Sequence, residues 1–232
     1  MLRGQVKPIK EYTEEEIQVM YGLMNQFYDN TKESVFRKDF FEKDYCLSLY
    51  HETDGLVGFT TQKVLELQVD GRKVHGVFSG DTIIHKDYWG DMELFRIWAD
   101  FWFDFAKQYE EFYWFLICKG YKTYRMLPLF FSEFYPNYRS KTPHYEQSIM
   151  DTYASLLYGD DYNKDSGVME YKNIKDKLKE GVADIGSREL KNKDVEFFCQ
   201  ANPGYIKGND LVCLAKIDKA NLRKRVKELL FS

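Results

Sequence analysis

The sequence predicts a single α/β domain built on a mixed β-sheet, and three observations carry that expectation. Residues 45–50, 56–69 and 74–84 are strand-like runs separated by Asp54-Gly55 and Asp70-Gly71, dipeptides that tolerate the positive φ of tight turns, so they form an antiparallel meander. Asp91 then opens a strongly apolar helical stretch to about Tyr109, with Leu94, Trp98, Phe101 and Phe105 on one face and Phe95 and Trp102 widening it. Residues 112–118 follow as a continuous apolar run, the pattern of a strand covered on both faces. Strand, crossover helix and strand in that order place 74–84 and 112–118 parallel and near one another, because such crossovers are right-handed.

The other elements follow from local chemistry. Residues 5–10 read as a short strand. Thr13 ahead of Glu14, Glu15 and Glu16 supplies an N-cap with a capping-box glutamate, and Ile17, Met20, Tyr21, Met24 and Phe27 recur at helical spacing over 14–28. A second helix is expected at 31–43, around Val35, Phe36, Phe40 and Phe41. After Gly120 a helix carries Tyr121, Tyr124, Met126, Leu127 and Phe130 until Pro136 stops it. Residues 137–175 are polar around a helix at 145–158 and a loop at 159–167, and read as an insertion. A strand at 182–185, a helix at 192–200, a turn at Asn202-Pro203-Gly204, a strand at 211–217 and a basic helix at 219–230 complete the chain. The expected organisation is one domain over 1–232: a core of about 5–136, a helical insertion of about 137–175 and a C-terminal extension of about 176–232.

Composition narrows the function classes. Lys and Arg number 33 against 37 Asp and Glu, a formal charge of −4, so no global electrostatic pull toward nucleic acid or an anionic membrane exists. Cys46, Cys118, Cys199 and Cys213 are far apart without a C-x-x-C pair and read as reduced, structural thiols. No apolar run approaches the ~20 residues of a membrane span, and residues 1–10 lack the apolar core of a signal peptide, so a cytoplasmic location is expected. Aromatic residues make up 17% of the chain, more than most domains carry, and their spacing assigns them chiefly to the core.

The order β-α-α-β-β-β-α-β-α over about residues 5–136 resembles the GNAT acyltransferase fold. In that family the strand before the central helix ends in an Arg/Gln-x-x-Gly-x-Gly/Ala loop, whose backbone N–H groups hold the CoA pyrophosphate at a helix N-terminus. The corresponding stretch here is Asp87-Tyr88-Trp89-Gly90-Asp91-Met92. Gly90 keeps the first glycine, while Asp87 replaces the usual Arg or Gln and Met92 the second small residue. A carboxylate at Asp91 would repel a pyrophosphate unless it turned outward as a cap. The resemblance implies acetyl-CoA or another acyl-CoA as co-substrate, met by Ile83, Ile84, Tyr88, Trp89, Gly90, Asp91, Met92 and Lys119, with the acyl group passing to the amine of a small molecule by direct attack. The altered loop keeps two other readings open: a GNAT-shaped binding or scaffolding module without CoA chemistry, and an acyltransferase fed by a carrier-protein thioester.

Amine acylation needs a base for the attacking nitrogen and a proton donor for the leaving thiolate. Asp81 and His85 alternate in phase with Ser79, which puts all three on one face of the incoming strand and makes Asp81 and His85 candidates for base and positioning group. The competing readings are a structural carboxylate and a satisfied surface histidine. The resemblance points to a tyrosine on the helix after the second parallel strand as general acid, and Tyr124 matches its position better than Tyr121; in a chain with 18 tyrosines, packing is the alternative. Lys119, Lys122 and Arg125 lie where they could screen phosphates or form a solvated helix face. No His-x-x-x-His or carboxylate motif suggests a metal. The basic residues Lys219, Arg223, Lys224, Arg225 and Lys227 fit a solvated terminal helix better than a nucleic-acid site. The expected partner is a small-molecule amine, with no nucleic acid and no membrane; pairing with a second copy is left open.

Overall fold

The computed structural model describes residues 1–173 and 175–231. In chain order, β1 (Leu2–Pro8) leads to α1 (Glu14–Phe27), the two-residue β2 (Tyr28–Asp29), α2 (Glu33–Phe41), β3 (Tyr45–His51), β4 (Gly55–Val69), β5 (Arg72–Ile84), α3 (Glu93–Phe105) and β6 (Phe112–Cys118). Short helices α4 (Tyr121–Tyr124) and α5 (Met126–Phe130) precede α6 (His144–Tyr158), β7 (Tyr162–Asn163), β8 (Val168–Met169), β9 (Lys177–Leu178), α7 (Lys193–Ala201), β10 (Asp210–Lys216) and α8 (Lys224–Phe231).

Among the described residues, eight strands form one sheet in the order β1-β3-β4-β5-β6-β10-β8-β7. Strands β5 and β6 run parallel, as the crossover through α3 requires, and the other neighbours are antiparallel. The β4–β5 hairpin turns through Asp70 at φ 49° and Gly71 at φ 78°, the conformations its dipeptide favours. Helix α1 begins where its capping box places it: the Thr13 side chain accepts from the Glu16 amide, and the Glu16 carboxylate accepts from Thr13 N–H at 2.9 Å.

Alternation along the strands sends side chains to two covered faces. On one face, Leu47, Val77, Trp114, Leu116, Cys118 and Cys213 pack with α3, α4, α5 and α7 in one large core. On the other, Cys46, Phe59 and Ile83 meet α1 and α2, while Phe78, Phe115, Val212 and Leu214 meet α6. Two helical layers therefore share this second face, and the space between them lies over β4 and β5.

In the segment 137–175, Ile149, Met150 and Tyr153 of α6 are buried against the sheet, and β7 and β8 extend it beyond β10. Two expectations change. The strand expected at 182–185 is turn and bend, and the pairing residues are instead Lys177 and Leu178, which join Asp29 and Tyr28. The last helix starts at Lys224, since Asn221 is tied by its side chain to the carbonyls of Glu133 and Lys216. No described helix is long and apolar enough to cross a membrane.

Candidate functional site

The site begins with a β-bulge. Pairing between β4 and β5 runs Thr60↔Thr82 and then Gln62↔Ser79, so Gly80 and Asp81 together face the single residue Thr61. The extra residue shifts the side-chain phase of β5. Ser79 points into the α3 face, where its hydroxyl donates to Gln62 Oε1 at 2.9 Å and accepts from Trp114 Nε1 at 2.8 Å. Asp81 turns to the opposite face, toward α2 and α6. The expectation that Ser79, Asp81 and His85 share a face is thus corrected: alternation fails across the inserted residue. Glycine at position 80 is required by close approach, because a Cβ there would lie 2.5 Å from Thr61 Oγ1 and 2.9 Å from Lys43 Cε.

The same irregularity opens the sheet. Parallel pairing of β5 with β6 extends from His75↔Phe112 to Ser79↔Leu116 and stops there, although β6 continues to Cys118 and β5 to Ile84. The two strands part at the bulge and leave a gap between their C-terminal ends, with α3 on one side and Asp81 on the other.

Asp81 is half-buried and has no hydrogen-bond or ion-pair partner among the described residues. Burial penalises its charge, and the neighbouring carboxylates of Asp39 and Asp176 add repulsion that Lys43 and Lys175 only partly offset, so its pKa is pushed up to about 7. The phenols of Tyr28 on β2 and Tyr158 at the end of α6 are held protonated by burial and by the negative field of Asp81 and its neighbours. Lys43 is held by Asp39, its Nζ 2.5 Å from the carboxylate and 3.0 Å from the carbonyl. Thr61 Oγ1, fully buried opposite the bulge, has no hydrogen-bond partner among the described residues. A carboxyl that titrates near neutrality beside the phenols of Tyr28 and Tyr158 is suited to accept a proton from an amine.

The residues expected to meet a donor engage other groups of the protein, on both faces of the sheet. Asp91 turns back, its Oδ1 accepting from Glu93 N–H at 2.7 Å, so a carboxylate already serves the first turn of α3. Gly90 adopts φ 93° with open space around it, as a turn glycine. Trp89 Nε1 donates to the Ile84 carbonyl at 2.8 Å, its ring lies 5.7 Å from that of Phe27, and Lys122 Nζ sits 4.0 Å above it. Ile83 is buried under α1 and α2, Met92 is half-buried against the α3 core, and the Tyr88 hydroxyl donates to Asp54.

The remaining candidates fall elsewhere. Lys119 is committed to protein groups, with Nζ 2.8 Å from the Asp176 carbonyl, 3.1 Å from the Asp176 carboxylate and 3.4 Å from that of Asp210. Burial opposes its charge, but the two carboxylates outweigh that and raise its pKa. Tyr124 has no exposed surface; it packs among Phe134, Phe197 and Phe198, and its hydroxyl donates to the Pro136 carbonyl at 2.9 Å. The structure does not bring it together with Asp81. His85 lies past the bulge at the end of β5, 3.7 Å from the Asp87 carboxylate, on the wall of a separate groove of about 500 Å³ between α1 and the start of β4. Sequence reasoning missed Tyr28, Lys43, Thr61 and Tyr158, which the bulge gathers from separate parts of the chain around Asp81; the Asp39–Lys43 spacing of four was the one local signal.

A strap formed by residues 176–183 links the end of α1 to the end of β6. Lys179 N–H donates to the Phe27 carbonyl at 2.9 Å, Leu178 reaches the space beside Gly120, and Lys122 Nζ donates to the Val182 carbonyl.

No protein-family model matches the sequence, and no curated protein matches it. Solved structures do. A probable N-acyltransferase from Enterococcus faecalis V583 aligns at 19% identity and a TM-score of 0.43, over 58% of this chain and 33% of its own. A GCN5-related N-acetyltransferase from Anabaena variabilis aligns at 15% identity and 0.40, over 53% and 31%. The N-myristoyltransferase of Saccharomyces cerevisiae, solved with myristoyl-CoA, aligns at 12% identity and 0.39, over 51% and 29%. The chain thus spans about a third of the length of each. The fold is a mixed α/β sheet of the GNAT type, an assignment that rests on the strand order, the parallel β5–β6 pair and its divergence at a bulge.

Proposed function

We propose that this protein is an N-acyltransferase that moves an acyl group from an acyl-CoA thioester to the amine of a small molecule. One observation carries the reading: a single bulge both parts β5 from β6 and turns Asp81 to the face of the sheet opposite α3. A thioester arm entering from the α3 side and an amine entering between α2 and α6 would meet in the gap. Asp81, ionised above about pH 7, takes the proton of the amine. The nitrogen attacks the thioester carbonyl, the C–S bond breaks, and the thiolate leaves with the electron pair.

The test is thiol release from acetyl-CoA and longer acyl-CoAs in the presence of a panel of small amines. The reading predicts amine-dependent release that rises with pH through about 7 and falls about 10²- to 10⁴-fold in Asp81→Asn. A second reading, a binding module without chemistry, is favoured by the closed donor side, where Trp89 and Asp91 occupy the groups a donor would use. Absence of release with every donor and amine, at enzyme concentrations where uncatalysed hydrolysis is resolved, would select that reading.

A further inference from the structure

We propose that Trp89 and Lys122 form an internal latch over the gap between β5 and β6, and that a donor binds only after the latch swings away; this rests on the reading of the gap as the donor site. The indole crosses the gap from one splayed strand to the element following the other. Its N–H is bonded to the Ile84 carbonyl on β5, and its face receives the ammonium of Lys122 on α4, which follows β6. Phe27 at the end of α1 backs the ring.

Two donor subsites are filled by the protein's own groups. The Ile84 carbonyl is a main-chain acceptor that the amide-bearing arm of a thioester would use, and the Trp89 N–H takes it. The N-terminus of α3 would hold a diphosphate, and the Asp91 carboxylate takes it. Both stand-ins sit on one exposed loop, 86–92, with Trp89 still 45% exposed. Its contacts are a neutral hydrogen bond, an exposed cation–π pair and an aromatic contact, each of modest strength, so a displacing ligand can break them. Lys122 is held over the ring by a second contact, its Nζ donating to the Val182 carbonyl.

Calorimetric titration of CoA into the wild type, Trp89→Ala, Trp89→Phe and Lys122→Ala tests the latch. It is paired with fluorine NMR of protein carrying 5-fluorotryptophan, with the Trp89 signal assigned by its loss in Trp89→Phe. The latch predicts that Trp89→Ala binds CoA about 10- to 100-fold more tightly than wild type, because the closed state no longer competes. Trp89→Phe and Lys122→Ala should each gain less, and the Trp89 signal should move when CoA is added to wild type. Equal affinities with an unmoved Trp89 signal would overturn the latch and leave the donor-site reading standing. Weaker binding by Trp89→Ala would make Trp89 part of the donor site rather than its cover, and would also overturn it. Failure of both wild type and Trp89→Ala to bind millimolar CoA would overturn the donor-site reading itself, and the latch with it.

Discussion

Asp81→Asn should stabilise the protein, and the gain should grow with pH. The native carboxyl titrates near 7 and an unfolded one near 3.8, so between those values the native state holds a proton that the unfolded state has lost. For a raised acid, the favourable contribution is complete below the unfolded pKa and drains away as pH climbs to the native one. Each unit of separation is about 1.4 kcal/mol, and the portion falling between pH 5 and pH 8 amounts to on the order of 2–3 kcal/mol, the residual solvent contact of a half-buried group holding it to the lower end. Asparagine has nearly the same shape and no charge, so the titrations of groups remote from Asp81 cancel in the comparison. Urea unfolding of both proteins at pH 5, 6.5 and 8 measures it. Stability differences that stay constant across the three values would show that Asp81 has an ordinary pKa, and the argument for a base poised near neutrality would fail.

Other substitutions probe the surroundings. Lys119→Met leaves the Asp210 carboxylate, which is only 2% exposed, with the Tyr171 hydroxyl but without its ion-pair partner, and should cost about 3–5 kcal/mol in urea unfolding; a loss under about 1 kcal/mol would show that the buried cluster is not held together by this ion pair. Tyr124→Phe leaves the Pro136 carbonyl without its donor, so stability should fall by about 1–2 kcal/mol while thioester turnover stays within about twofold of wild type. Turnover lost with stability intact would return Tyr124 to the chemistry. Thr61→Val replaces a buried hydroxyl, without a hydrogen-bond partner among the described residues, by a methyl group of similar volume and should raise stability by up to about 1 kcal/mol; destabilisation would reveal a hydrogen bond at that hydroxyl.

Much of the scaffold was legible because its signals are local. The Thr13 capping box, the Asp70-Gly71 turn and the apolar run 112–118 each act within a few residues, and the parallel pairing of β5 with β6 follows from the handedness of the crossover. The site was less legible for a physical reason. Its key event, one extra residue on β5 opposite Thr61, leaves no mark in the alternation of a strand whose end is neither cleanly apolar nor polar, and it reverses the face that Asp81 occupies. Asp81 was identifiable as a lone carboxylate on that strand, but its neighbours Tyr28, Lys43 and Tyr158 come from three other elements. At the start of α3 the N-cap is Met92, and Asp91, expected there as the cap, lies one residue earlier and accepts from Glu93 N–H. The part taken by Trp89 depends on where α1 and α4 end in space, which spacing along the chain does not encode.

Hydrogen–deuterium exchange with and without CoA bears most directly on the idea that the parted strands are where the donor enters. The account predicts slower exchange on binding in the backbone amides of 83–92 and 117–122, the segments that flank the gap, with little change around 132–146 at the far end of the sheet. Protection confined to that far end, or to the groove beside His85, would place the ligand away from the gap and contradict the account.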